Sequence, residues 1–207
     1  MIKFVYFDVG GVAIKDFSGT NKWEELKKEL GISRDQSEEF ENIYNLYQDE
    51  INTTREIDSL IPIYKEKFNI KLPANYSYLT DGLVKRFEQN KGIWPIIEKA
   101  KSKYKIGLLT NMHPNMLNEI KKAGLLPDIV FDQVIDSSVE QVSKPYKEIY
   151  SLAAKRSGYQ GGEILFIDNS EINLKVPKEM GWSTFLYDPT DIEASNVKLS
   201  EFISDLK

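Results

Sequence analysis

Residues 2–12, Ile2-Lys3-Phe4-Val5-Tyr6-Phe7-Asp8-Val9-Gly10-Gly11-Val12, decide the fold. A run of β-branched and aromatic residues ends on a carboxylate, and a pair of glycines follows it. A run with so little polar alternation reads as a strand buried on both faces, the habit of parallel sheets covered by helices. In such sheets ligands bind just beyond the carboxyl ends of the strands, which is where Asp8 would stand. The glycines let backbone come close to a ligand. Asp and Gly are also ordinary turn residues, so this stretch alone does not decide between a site and a turn.

Working outward, similar apolar runs lie at 104–109, 129–135, 163–167 and 183–187, separated by charged stretches with helical spacing. The expected architecture is α/β: a Rossmann-like parallel sheet sandwiched by helices. About 95 residues separate the first two runs, far more than one crossover needs. That segment carries apolar residues at helical intervals, as in Trp23, Leu26, Leu30 and in Ile57, Leu60, Ile61, Tyr64, Phe68. The division that follows is a core of residues 1–15 and 91–207 with an inserted helical cap domain at 16–90. Residues 199–206 read as a short closing helix.

The 207 residues carry 27 basic and 32 acidic side chains, a formal charge of -5, which argues against a polyanion-binding surface and so against nucleic acid. There is no cysteine, hence no disulfide, thiolate metal site or cysteine nucleophile, and a reducing compartment is compatible with the composition. Asp8 interrupts the N-terminal apolar run, which does not read as a signal peptide. Nowhere are 18 consecutive residues apolar. A cytoplasmic protein without membrane contact is expected. The charge runs 27–29 and 65–67 read as solvated helix faces.

The other chemistry-bearing residues also sit at strand ends. Thr110-Asn111 follow one run and place a hydroxyl and backbone N–H groups at the sheet edge, where a helix start could bind an anion or simply be capped. Lys144 in Ser143-Lys144-Pro145 precedes a helical stretch and is placed to reach an anion. Asp168-Asn169, with Asn173 beyond, put a second carboxylate at a strand end, as a divalent cation requires.

In order and spacing, FDVGGV (7–12), LLTN (108–111), SKP (143–145) and FIDNSEIN (166–173) resemble the motifs of the haloacid dehalogenase-like (HAD) hydrolase superfamily. The insertion resembles the helical cap of its first subfamily, and Asp49-Glu50-Ile51-Asn52 looks like the turn into a cap helix in glucose-1-phosphate phosphatase-like members. The resemblance implies a Mg²⁺-dependent phosphatase of a small phosphorylated metabolite. Asp8 would attack phosphorus to form an aspartyl-phosphate and also bind Mg²⁺. Val9, Gly10, Thr110, Asn111 and Lys144 would hold the transferring group, with Lys144 offsetting the repulsion of two anions. Asp8, the Gly10 carbonyl, Asp168 and Asn169 would form the metal site.

Two positions depart from the family's pattern. Phosphatases of the family usually carry an acid two residues after the nucleophile, where this chain has Gly10; some glucose-1-phosphate phosphatase-like members share the glycine. Without a donor an alcohol would leave slowly unless another acid or water substitutes, since general acid catalysis contributes about 10²–10⁴ in rate. Asn169 stands where a second Asp is common, which should weaken metal binding. His113, the single histidine, lies close enough to be a substitute acid, although a loop role is the commoner one. Tyr44, Tyr47, Tyr64 and Phe68 either line a pocket or form the core of the insertion. Two alternatives stand beside the phosphatase: a catalytically impaired or non-catalytic binder of phosphate ligands, and a dehalogenase-type hydrolase. The last would need a halide-binding arginine and, by the resemblance, an aromatic residue where Gly10 stands.

Overall fold

The computed structural model describes residues 1–206. Its centre is a five-stranded sheet in the order β5-β4-β1-β6-β7, built from β1 (Phe4–Phe7), β4 (Lys105–Thr110), β5 (Gln133–Asp136), β6 (Ile164–Asp168) and β7 (Ser183–Leu186). All four pairings are parallel. A short antiparallel ribbon, β2 (Ile14–Lys15) with β3 (Glu88–Gln89), lies apart from this sheet.

Side chains alternate across the sheet as the strand period demands. Val5, Phe7, Ile106, Leu108, Leu165 and Ile167 enter one core, which also takes Ile96, Ile97 and Ala100 of α5 (Trp94–Lys101), Met116 and Ile120 of α6 (Met116–Lys122), and Leu199 and Ile203 of α10 (Ile192–Asp205). Phe4, Tyr6, Leu109, Ile164 and Phe166 enter the opposite core with Ile149, Tyr150 and Ala153 of α8 (Lys147–Ser157) and Leu174 of α9 (Glu171–Glu179). Burial on both faces is why these strands read as unbroken apolar runs.

Between β2 and β3 the chain forms α1 (Lys22–Glu29), α2 (Ser37–Leu46), the single turn α3 (Gln48–Ile51), α4 (Leu60–Phe68) and a π-helical turn at Tyr78–Leu83. An aromatic stack holds these together: Phe40 and Tyr64 have ring centroids 4.4 Å apart, and Phe68, Trp23 and Tyr78 close around them. Tyr64 and Phe68 are therefore core residues of the helical insertion. Tyr47 lies under the Arg55 guanidinium, 4.0 Å from ring centroid to Cζ.

Some expectations are corrected. The run at 129–135 becomes a strand only from Gln133, because the Asp132 carboxylate turns back to accept from Lys105 Nζ and Ile106 N. The closing helix begins at Ile192 rather than 199, started by the Asp191 side chain accepting from Ala194 N. Lys27 is not on a solvated face: it is buried, with Glu24, Glu41 and Ser37 around its ammonium. Lys65, Glu66 and Lys67 are exposed. No helix among the described residues is long and apolar enough to cross a membrane. The short α7 (Ser137–Glu140) follows β5 directly, with Asp136 accepting from Ser138 N.

Gly107 in β4 is set by close packing. A methyl there would stand 2.7 Å from Tyr6 Cε1 and 2.9 Å from the Gln133 carbonyl oxygen, and the Tyr6 ring is pinned by its hydroxyl donating to the Ala153 carbonyl at 2.9 Å. Gly107→Ala is expected to cost about 1–3 kcal/mol. Urea unfolding measures it, and a loss under half a kilocalorie would show that the sheet yields at this point.

Candidate active site

Register brings the candidate residues together. Phe7 pairs with Leu108 on one side and Ile167 on the other, so the residues that follow in β1, β4 and β6 gather at one edge. Asp8, Thr110 and Asp168 are buried there, and Lys144 joins them from the loop before α8. Lys144 Nζ lies 2.9 Å from Asp8 Oδ2 and 2.6 Å from Asp168 Oδ2. The other oxygens are also engaged. Asp8 Oδ1 accepts from Val9 N at 2.7 Å, and Asp168 Oδ1 accepts from Ser170 N at 2.8 Å and Asn173 Nδ2 at 3.1 Å.

Lys144 is held in place by its backbone. The Asn111 carboxamide accepts from Lys144 N at 2.8 Å and donates to the Lys144 carbonyl at 2.9 Å, a two-point grip on one residue. Burial pulls the lysine pKa down, but the field of Asp168 and Asp8 outweighs it, leaving the ammonium above its ordinary value. For Asp8, burial outweighs the attraction of Lys144 and holds its carboxyl above the usual carboxylate range, with the charge of Asp168 adding to the rise. Thr110 Oγ1 is buried without a hydrogen-bond partner. An orphaned buried hydroxyl at the edge that also carries a buried ammonium suits an anionic oxygen.

Asp8 and Asp168 offer oxygens at the ends of adjacent strands, with the Asn169 carboxamide close by against Gly11. No group of three or more His, Cys, Asp or Glu side chains gathers to hold a metal among the described residues. A hard cation that keeps its waters and is held by one or two carboxylates fits this set; one needing a full protein cage does not. Mg²⁺ is of the first kind.

The family model for haloacid dehalogenase-like hydrolases matches residues 2–181. The chain belongs to that family. Among solved structures, a predicted HAD-like hydrolase of Porphyromonas gingivalis superposes with a TM-score of 0.72 at 22% identity, covering 96% of this chain and 98% of that one. A HAD enzyme of Bacteroides thetaiotaomicron, wild type in complex with magnesium and inorganic phosphate, gives 0.67 at 24% identity over 90% and 94% of the two chains. An L-2-haloacid dehalogenase of Xanthobacter autotrophicus, with chloropropionic acid covalently bound, gives 0.63 at 18% identity over 90% and 78%. In sequence, mouse acyl-CoA dehydrogenase family member 10 is 29% identical over 125 residues, 59% of this chain and 11% of that protein's length. This chain therefore corresponds to a small part of that relative.

In this HAD-family chain, the edge joins the helical insertion through carbonyls at the end of α3. His113 Nδ1 lies 2.8 Å from the Ile51 carbonyl, Ser137 Oγ donates to the Asn52 carbonyl, and Tyr146 Oη donates to Asp49 Oδ2 at 3.1 Å. The stretch 49–52 thus docks on the sheet edge through two backbone carbonyls and the Asp49 carboxylate. A cavity of about 350 Å³ lies between insertion and core, with Asp16, Trp23, Tyr44, Phe87 and Asn111 in its wall. Two of these roles were missed by sequence reasoning. Nothing in the sequence marks Asn111 as a grip on the lysine backbone, and nothing marks Asp16 at all.

Both ring nitrogens of His113 face partners. The residue is buried, with its second ring nitrogen 3.3 Å from Tyr44 Oη, and burial pulls its pKa down to about 4 against the opposing pull of the Ile51 carbonyl. It is neutral in the folded protein at pH 7. In the window from 6.5 to about 4 the unfolded chain binds the extra proton, so stability falls with falling pH, by up to about 1.4 kcal/mol per unit. Wild-type protein is expected to lose about 3 kcal/mol more than His113→Gln over that window, read from urea unfolding at a series of pH values. Parallel curves would mean that the imidazole titrates as in water.

Proposed function

We propose that this HAD-family hydrolase is a Mg²⁺-dependent phosphatase of a small phosphorylated metabolite, acting through an aspartyl-phosphate on Asp8. The observation that carries the reading is the buried triad of Asp8, Lys144 and Asp168 beside the unpartnered Thr110 hydroxyl. Asp8 is the nucleophile, and the Lys144 ammonium lowers the repulsion between its carboxylate and the phosphoryl oxygens. Thr110 Oγ1 and the backbone N–H of Asn111 hold the phosphoryl group, with Val9 and Gly10 beneath it. Asp8, the Gly10 carbonyl, Asp168 and the Asn169 carboxamide hold the metal. When bound, Mg²⁺ supplies positive charge to the phosphoryl oxygens. We take residues 16–90 as a cap that carries the specificity of the cavity and shields the site from bulk water.

The magnesium and phosphate complex of the Bacteroides enzyme supports the same pairing of ligands here. A dehalogenase reading finds less support, because no arginine lines the cavity while Arg55, Arg86 and Arg156 are paired with Glu50, Glu29 and Glu140.

Asp8→Asn is expected to lower phosphate release from 4-nitrophenyl phosphate by at least about 10³-fold while leaving the unfolding midpoint near that of wild type. Chelation of Mg²⁺ should remove wild-type turnover and its return should restore it. Turnover unchanged in Asp8→Asn removes Asp8 from the reaction. Wild-type protein that binds vanadate yet turns over no phosphate ester at saturating Mg²⁺ is a phosphate-ligand binder instead.

A further inference from the structure

The side chain missing at Gly10 is replaced across space. A Cβ built on Gly10 would stand 2.5 Å from Asp16 Oδ2 and 3.4 Å from its Cγ. The carboxyl group of Asp16 therefore occupies the place where a side chain on residue 10 would begin, two residues beyond Asp8. Asp16 comes to this position from the end of β2, whose last residue, Lys15, pairs with Glu88 in the ribbon. Its Oδ1 accepts from Ser18 N at 2.8 Å, which fixes the rotamer and leaves Oδ2 as the oxygen turned toward Gly10. The same residue lines the cavity between insertion and core, as does Asn111, whose side chain grips Lys144. The Asp16 carboxyl is thus placed on both the Gly10 side of the triad and the cavity side that would receive the rest of a substrate. His113, the other acid in reach, is withdrawn: both ring nitrogens face partners in the Ile51 carbonyl and the Tyr44 hydroxyl.

We propose that Asp16 is the proton-transfer carboxyl of this site, facing the leaving group in place of the side chain that Gly10 lacks. The proposal rests on the phosphatase reading above and on the position of the Asp16 carboxyl. As Asp8 attacks phosphorus, the bond from phosphorus to the ester oxygen breaks with its electron pair on that oxygen. The Asp16 carboxyl gives the oxygen a proton, so a neutral alcohol departs. In the second half, the Asp16 carboxylate takes a proton from water as the water oxygen attacks phosphorus. The bond between phosphorus and Asp8 then breaks, returning the Asp8 carboxylate and releasing phosphate. Ester and water have become alcohol and phosphate, and both aspartates are restored.

Proton donation matters to an alkoxide and little to nitrophenolate, so the test compares kcat/KM for an alkyl phosphate with that for 4-nitrophenyl phosphate in Mg²⁺. Asp16→Asn should reduce the alkyl ester by about 10²-fold or more and the nitrophenyl ester by less than about tenfold. Vanadate affinity and unfolding midpoint should stay near wild type. Moving the carboxyl, in the double variant Gly10→Asp/Asp16→Ala, should recover at least about tenfold of the lost alkyl activity. The wild-type protein gives a second reading that needs no variant: its rates across aryl and alkyl phosphates should depend only weakly on leaving-group pKa, and a steep dependence overturns the role of Asp16. Equal loss on both esters, or no loss, with wild-type activity intact also overturns it while leaving the phosphatase standing. Absence of turnover of either ester by the wild type overturns both.

Discussion

A single buried ammonium organises the site. Lys144 stands between Asp8 and Asp168, three charged groups at most a few per cent exposed, and each carboxylate gives it one oxygen. Removing the ammonium from such a group typically costs about 3–5 kcal/mol, because two buried carboxylates are then left unmatched. The rest of the structure serves this contact. The parallel register of β1 with β6 sets the two aspartates side by side. The Asn111 grip on the Lys144 peptide aims the lysine from a loop, and Asn173 and Ser170 N turn Asp168 so that its other oxygen faces the ammonium. Buried ion groups gain little stability over apolar packing, so an arrangement this fully bonded is better explained by chemistry than by folding.

The insertion is attached to this centre mostly by backbone acceptors. Ile51 and Asn52 present carbonyls to His113 and Ser137, and Ser137 also accepts from Met112 N, two residues after Thr110. The helical part of the chain therefore meets the loop after Thr110 and Asn111 through hydrogen bonds without a charged partner. The aromatic stack around Phe40 packs the insertion from within and is continuous with the core on one face of the sheet, and Trp23 and Tyr44 form its wall toward the sheet edge.

How much of this was legible follows from which distances the chain itself controls. The central strands were readable because burial on both faces forces unbroken apolar runs, and Asp8, Thr110 and Asp168 were readable because each directly follows or ends such a run. The edge at 129–131 misled for the same reason: it is apolar, but it is irregular chain leading to Asp132, whose side chain bonds to Lys105 and Ile106, rather than a ladder. The first half of α10 buries Ser195 rather than a large apolar residue and leaves Val197 exposed, so only its cap betrays it. Asp16 had no local signal whatever. Its closeness to Gly10 depends on the ribbon with Glu88–Gln89, some seventy residues away, and no periodicity encodes a contact of that kind.

The two departures from the family's pattern then acquire a common physical reading. A glycine at position 10 is what allows a carboxyl from position 16 to come so close, since any Cβ there would collide with it. A glycine at position 11 does the same for Asn169, whose carboxamide nitrogen packs where that Cβ would be, and Gly11 has a φ of 70°, which a side chain would strain. Charge argues in the same direction. Asp8 and Asp168 against Lys144 leave a formal charge of one negative unit in a buried volume. A carboxylate at Asn169 would double it, whereas a carboxamide offers an oxygen without a further charge. The substitutions that look like losses when read one at a time fit a site whose carboxylates have been redistributed: one fewer beside the lysine, and one brought in from the ribbon to face the cavity.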